Sequence, residues 1–130
     1  MPTRPLSPHL SVYRMSRYTL ATSIFNRLTG VALSLGLLLL VYWLMAVAAG
    51  PLSFARAARL LSMPLAKALY AALIVAFCYH LIAGIRHLVW DTGRGLERRQ
   101  AHFSAWLVIV ASLLLTLIIA WCAWFAGLRS

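Results

Sequence analysis

The chain contains three long apolar runs separated by short polar segments. Residues 28–50 carry no charged side chain, residues 65–89 are apolar with a few ionisable positions, and residues 105–128 are again charge-free. About 20 apolar residues are enough for a helix to cross a hydrocarbon core of roughly 30 Å. The pattern therefore predicts an all-α membrane protein with three transmembrane helices over these ranges.

The remaining segments divide into an N-terminal stretch and two connections. Residues 1–27 are polar, and Pro2, Pro5 and Pro8 favour an extended start. Residues 51–64 are expected to form a loop with a short interfacial helix, for which Ser53 is a candidate N-cap. Residues 90–104 form the second loop and carry several charges.

Charge places these segments on opposite sides of the membrane. The chain is 63% hydrophobic and 11% charged, with a formal net charge of +10. Arginines concentrate in residues 1–27 and 90–104, and the positive-inside rule then puts both segments in the cytoplasm and residues 51–64 in the periplasm. Most of the basic charge is explained by topology, so no nucleic-acid partner is expected.

Composition also excludes several kinds of chemistry. Asp91 and Glu97 are the only carboxylates among the side chains, which argues against hydrolysis by a pair of acidic residues. Cys78 and Cys122 each lie inside an apolar run, so neither a disulfide framework nor a cysteine metal site is predicted. The sequence has no CxxCH, and any haem would be held without thioether bonds.

The second span carries the residues best suited to bind a ligand or a cofactor. His80, Gly84, His87 and Asp91 are spaced by four, three and four, which places them on one helical face. His80 lies roughly ten residues from the helix end, about 15 Å deep at 1.5 Å per residue. It is either a neutral imidazole hydrogen-bonded to a neighbouring helix or a haem ligand. The small residues beside it, Ala76, Ala83 and Gly84, suit close helix packing or a flat ligand such as a porphyrin.

A haem bound by His80 would require a second subunit. His87 rises from the same face about 10 Å along the helix and could not reach the opposite side of one iron. His9 and His102 lie outside the predicted spans. The other axial ligand of a six-coordinate haem would therefore come from another chain.

Two further polar groups have both a simple and a functional interpretation. Arg86 and His87 either snorkel to the interface or contact haem propionates. Ser23 and Arg27 are four residues apart on one face of the first helix, near Thr22 and Asn26. They are either a helix cap with a positive-inside anchor or a hydrogen-bonding pocket for a membrane quinone.

Three stretches match the motifs of one family in the order in which that family carries them. They are RPLSPHLSVY at residues 4–13, SIFNRLTG at 23–30 and HLIAGIRHLVWD at 80–91. Together they make the chain resemble the cytochrome b membrane-anchor subunits of succinate dehydrogenase, or complex II. The resemblance covers essentially the whole chain, including the three-span layout.

The resemblance implies a respiratory complex that transfers electrons from succinate to ubiquinone. A flavoprotein subunit, an iron-sulfur subunit and a second membrane anchor are the implied partners, in contact with membrane lipid. His80 is the implied axial ligand of haem b, with the other ligand on the second anchor. Ser23 and Arg27 are the implied quinone site, and the residues expected around the haem are Asn26, Arg27, Arg86 and His87.

One position departs from the family pattern. Many members have a histidine where this chain has Asn26, and an amide cannot carry a proton near neutral pH. A proton-relay role at this position is therefore not expected here.

Other functions remain open at this point. A fumarate reductase anchor would run the reaction in reverse, and a non-catalytic membrane assembly protein would use the histidines only for packing. A small transporter is less favoured, because the midplane offers one imidazole and no carboxylate. A bacterial inner membrane is the expected location, ahead of the mitochondrial inner membrane.

Overall fold

The computed structural model describes residues 17–127, with side chains described from residue 20 onward. Four helices follow in order: α1 (Arg17–Ala48), α2 (Pro51–Leu61), α3 (Pro64–Asp91) and α4 (Arg98–Gly127). The predicted extended start around Pro2, Pro5 and Pro8 lies outside the described residues, as does His9.

Three of these helices are long and apolar enough to cross a membrane: Leu20–Ala48, Pro64–Asp91 and Arg98–Gly127. This confirms the predicted all-α architecture with three spans. Helix α1 begins at Arg17, well before residue 28, so the polar residues 17–27 are helical as well. Thr22, Ser23, Asn26 and Arg27 therefore lie inside a helix, and the interpretation of this group as a helix cap is wrong.

The short helix α2 confirms the helical segment expected in residues 51–64, but its predicted cap is wrong. Gly50 is the N-cap residue, with φ of 99°, and Pro51 follows in the first turn. A positive φ suits glycine, and the fixed φ of proline suits the first helical position, where no N–H is needed. Ser53 consequently lies within the helix rather than at its start.

The three long helices pack as an up-down-up bundle with α3 in contact with both α1 and α4. Thr22 on α1 contacts Arg86 on α3, Thr29 contacts His80, and Gly36 lies against Leu73. As residue numbers rise along α1, the numbers of the contacting residues on α3 fall, so the two helices are antiparallel. The start of α1, the end of α3 and the start of α4 therefore meet at one end, called here the α3–α4 end.

Small side chains form the contacts between the helices. Ala76, Cys78 and Ala83 of α3 and Ala105 and Val108 of α4 are buried. Most of the large apolar side chains of the spans are exposed on the outside of the bundle. Small residues at the interface and large apolar residues outside are typical of helices packed in a membrane, where outward surfaces meet lipid or other subunits.

Candidate functional site

His80 is held against α1 through one of its two ring nitrogens. Its Nδ1 lies 3.1 Å from the carbonyl oxygen of Asn26 and 3.2 Å from Oγ1 of Thr29. A carbonyl oxygen can only accept, so Nδ1 carries the proton and donates. In the neutral imidazole, Nε2 then has the free lone pair, which is the form that binds a metal ion.

The backbone of α1 approaches the imidazole of His80 closely. A Cβ atom on Gly30 would stand 3.1 Å from Cε1 of His80, tighter than an ordinary van der Waals contact. A glycine here lets the ring lie directly on the helix, within reach of the Asn26 carbonyl. The first helix therefore fixes both the position and the tautomer of His80.

The small residues near His80 fall into two groups. Ala76 and Ala83 are buried in helix contacts, with 8% and 2% of their surfaces exposed. Gly84 differs, because a Cβ atom added there would meet no atom of the described chain within 4 Å. The alanines serve packing inside the bundle, whereas Gly84 leaves open space on the face that carries His80 and His87.

Arg86 joins all three spans at the α3–α4 end. Its Nε donates to Oγ of Ser104 at 3.0 Å, one terminal nitrogen to Oγ1 of Thr22 at 3.2 Å, and the other to the carbonyl of Ala101 at 3.0 Å. The guanidinium also stacks on Trp90, with Cζ 3.9 Å from the ring centroid. Only 7% of Arg86 is exposed, and these partners are all electrically neutral.

Two side chains of α3 support this cluster. The hydroxyl of Tyr79 donates to the carbonyl of Thr22 at 3.0 Å, which adds a second link between α1 and α3. The indole of Trp90 donates from Nε1 to the carbonyl of Gly95 at 3.1 Å and so ties the loop to the helix end. The α3–α4 end is thus cross-linked by side chains around the guanidinium of Arg86.

His87 is half-buried one turn beyond Gly84. Its Nδ1 lies 2.7 Å from the carbonyl oxygen of Ala83 and donates to it, and its ring is tilted against Trp90 at 5.4 Å. In the neutral ring Nε2 is an acceptor, so only the imidazolium form could donate to an anionic group from that nitrogen.

Asn26 has a buried side-chain oxygen without a partner. Within the described part of the chain, Oδ1 of Asn26 has no hydrogen-bond donor. Buried polar atoms in native proteins nearly always have a partner, so this atom marks a place for one from outside these helices. Turning the amide by a half rotation would present its NH₂ donor at the same point.

Ser23 and Arg27 lie on α1 beside the contact with α3. Ser23 is half-buried and Arg27 is exposed. The spacing of Ser23, Arg27 and Gly30 places them on one flank of α1, with Gly30 directly beneath the ring of His80. The two predicted quinone-site residues therefore lie along the flank of α1 that leads to Gly30, on which the ring of His80 packs.

An apolar groove of about 510 Å³ lies toward the other end of the bundle. It is lined by α1, α2 and α3, including Trp43, Phe54, Tyr70 and Leu73. None of the predicted site residues lines this groove.

Thr29, Tyr79 and Ser104 were not predicted from the sequence as site residues. Thr29 follows Thr22 and Asn26 at helical spacing on one face of α1, and this spacing was a signal that it would reach the helix carrying His80. The hydrogen bond between Ser104 and Arg86 depends on how α4 packs against α3, which the spacing of residues within one helix does not show. Among the described residues, no group of three or more His, Cys, Asp or Glu side chains could hold a metal ion.

Comparison with known proteins agrees with the sequence motifs. The chain is 43% identical over 115 residues to the succinate dehydrogenase cytochrome b556 subunit of Paracoccus denitrificans, a match covering 88% of each protein. It is 39% identical over 116 residues to the subunit of the same name from Rickettsia typhi, covering 89% and 90%. The mitochondrial cytochrome b560 subunit of Bos taurus is 41% identical over 116 residues, covering 85% of this chain and 66% of that protein.

The family described as "Succinate dehydrogenase/Fumarate reductase transmembrane subunit" matches residues 1–119. This range includes all three motifs and the whole α3–α4 end of the bundle. The chain therefore belongs to the family of succinate dehydrogenase and fumarate reductase transmembrane subunits.

Proposed function

We propose that the chain is the cytochrome b membrane anchor of a succinate dehydrogenase that helps bind haem b and ubiquinone. Its relatives carry the name succinate dehydrogenase cytochrome b subunit, which favours this function over a fumarate reductase anchor or a non-catalytic assembly protein. The protein is then one part of an oxidoreductase complex, and succinate oxidation itself belongs to a partner flavoprotein.

The observation that carries the haem proposal is the hydrogen bond from Nδ1 of His80 to the carbonyl of Asn26 at 3.1 Å. It leaves Nε2 as the free nitrogen, as expected of a histidine that ligates haem iron. The open space beside Gly84 on the same face suits a flat macrocycle. When bound, the haem supplies a one-electron redox centre.

In this proposal a second membrane anchor would supply the other residue that holds the haem. His87 lies on the same face of α3 as His80 and about 10 Å along the helix, so it would not share the role of His80 in holding the iron. Three helices also cannot enclose a haem on all sides. The exposed apolar outer surface of the bundle is available for the second anchor and for lipid.

Four residues are proposed to surround the haem in addition to His80. Arg27 is exposed and suits a propionate oxygen. His87 lies on the face of His80 and Gly84 and would donate to a propionate from Nε2 in its imidazolium form. Asn26 offers its side-chain amide, whose Oδ1 has no hydrogen-bond partner among the described residues. Three of the five N–H groups of Arg86 already donate to protein acceptors. Its proposed contact with a propionate would use the two remaining N–H groups, and it is supported by the absence of charge on the acceptors around it.

Ser23 and Arg27 are proposed to bind the quinone. The hydroxyl of Ser23 would donate to a quinone carbonyl, and the guanidinium of Arg27 would stabilise negative charge that develops on the quinone oxygen. Electrons would reach this region from the iron-sulfur subunit docked on the cytoplasmic side. The exposure of Arg27 and the spacing of both residues on the flank of α1 that leads to Gly30 support this arrangement.

The proposed orientation puts the N-terminus, residues 90–104 and the α3–α4 end in the cytoplasm of a bacterium. Eight of the twelve basic residues belong to that side: Arg4, Arg14, Arg17, Arg27, Arg86, Arg94, Arg98 and Arg99. The three apolar helices and the bacterial relatives fit a multi-pass protein of the inner membrane.

The proposed function is tested by purifying the native complex through a tag on this chain. The co-purifying subunits are identified, and a dithionite-reduced minus oxidised spectrum is recorded. A b-type α band together with a flavoprotein and an iron-sulfur protein is the expected result. A pure chain or complex with no haem band and neither of these partners would overturn the proposal.

A further inference from the structure

Hydrogen bonds of Thr29 within α1 determine which group donates in its contact with His80. Its Oγ1 lies 2.8 Å from the carbonyl of Phe25 and 3.0 Å from the carbonyl of Asn26, both on α1. A hydroxyl has one proton, and this proton is used on the two backbone carbonyls. Toward Nδ1 of His80, 3.2 Å away, Thr29 therefore presents a lone pair.

The imidazole consequently donates from Nδ1 to two acceptors. One is the carbonyl of Asn26 and the other is the hydroxyl of Thr29. The bond of Oγ1 to its own helix also fixes the χ1 angle of Thr29, since a β-branched side chain has few rotamers in a helix. The acceptor is thus held in place before any ligand binds.

We infer that Thr29 is a positioning residue that tunes the haem through His80, an inference that rests on the proposed function. A hydrogen bond accepted from Nδ1–H makes the other nitrogen of the ring a stronger electron donor and fixes the orientation of the ring. A stronger axial donor favours ferric over ferrous iron and lowers the midpoint potential of the haem. Thr29 touches neither iron nor quinone in this account and acts only through the imidazole.

Thr29→Val removes the acceptor and keeps the shape of the side chain. The Asn26 carbonyl still holds the proton on Nδ1, so the histidine still binds but donates less strongly. Loss of such an outer partner typically weakens metal binding by about 10–100-fold. If ferric binding weakens about tenfold more than ferrous binding, the midpoint potential rises by about 59 mV.

The experiment is a redox titration of the haem in the purified complex carrying Thr29→Val, Thr29→Ser or Thr116→Val. Thr29→Ser keeps the hydroxyl that Thr29→Val removes. Thr116→Val is the matched control, because Oγ1 of Thr116 bonds the carbonyl of Ser112 on α4 in the same helical manner and has no contact with His80. We expect a raised potential for Thr29→Val, and wild-type values for the other two variants.

A potential for Thr29→Val equal to that of the wild type would overturn the inference, as would an equal rise in Thr116→Val. Should Thr29→Val fail to assemble, Thr29→Ala removes the same hydroxyl with less bulk and is judged by the same criterion. Absence of haem from the wild-type complex is a different outcome, because it contradicts the proposed function itself.

Discussion

The guanidinium of Arg86 on α3 donates to the hydroxyl of Thr22 on α1, with 3.2 Å between the two atoms. The same guanidinium bonds Ser104 and Ala101 of α4 and is almost fully buried. One side chain thus connects all three spans at the end where the candidate site lies. The site depends on this connection, because Thr22 and the residues facing His80 belong to the same helix.

Arg86→Ala should destabilise the bundle by about 2–4 kcal/mol, since it removes three hydrogen bonds and leaves buried acceptors unpaired. Unfolding of the purified complex in a denaturing detergent measures the change. Arg86→Lys should recover only part of it, because an ammonium cannot reproduce the planar fork or the stacking on Trp90. Arg56→Ala, an exposed position on α2, is the control and should change stability by less than about 0.5 kcal/mol.

The two glycines near His80 should respond differently to alanine. Gly30→Ala places Cβ 3.1 Å from His80 and should shift the ring, at a cost of about 1–3 kcal/mol in stability. A Cβ atom on Gly84 meets no atom of the described residues within 4 Å, so Gly84→Ala should leave the apo-protein unchanged. It should nevertheless lower the haem content of the complex, because the macrocycle is proposed to use that space.

Measuring the haem-to-protein ratio and the stability of the apo-protein for both variants separates an effect on folding from an effect on haem binding. Gly127→Ala, at the far end of α4, likewise adds a Cβ atom that meets no described atom within 4 Å, and serves as the control. Full haem occupancy in Gly84→Ala would argue against a macrocycle packed on this face.

Arg27→Ala should lower quinone reduction by about 100-fold, the usual cost of removing one donor that stabilises a developing oxyanion. Succinate oxidation with a water-soluble artificial acceptor should remain unchanged, because that reaction does not need the membrane site. Ser23→Ala should show the same pattern with a smaller loss. Equal quinone reduction in Arg27→Ala and the wild type would remove Arg27 from the site.

Fusions to reporter enzymes test the orientation. A reporter active only in the periplasm should be active when inserted after residue 55 and inactive when inserted after residue 95. The reverse pattern would contradict the charge-based topology.

The three spans could be predicted from the sequence, and so could the placement of His80 on one helical face with Gly84 and His87, because both depend on local patterns. Apolar length defines the spans, and the spacing of His80, Gly84 and His87 defines one helical face. The antiparallel register could not be predicted, because it depends on contacts such as Gly36 against Leu73 between distant parts of the chain. For the same reason, the partners of Arg86 and the contact of Thr29 with His80 came only from the fold.

The visible spectrum of the reduced complex carrying His80→Ala tests the central claim most directly. We expect this variant to lose the six-coordinate b-type band or the haem altogether. His87→Ala should keep an iron-coordinated b-type haem, because His87 is not a ligand to the iron. An unaltered band in His80→Ala would contradict the assignment of His80 as the axial ligand.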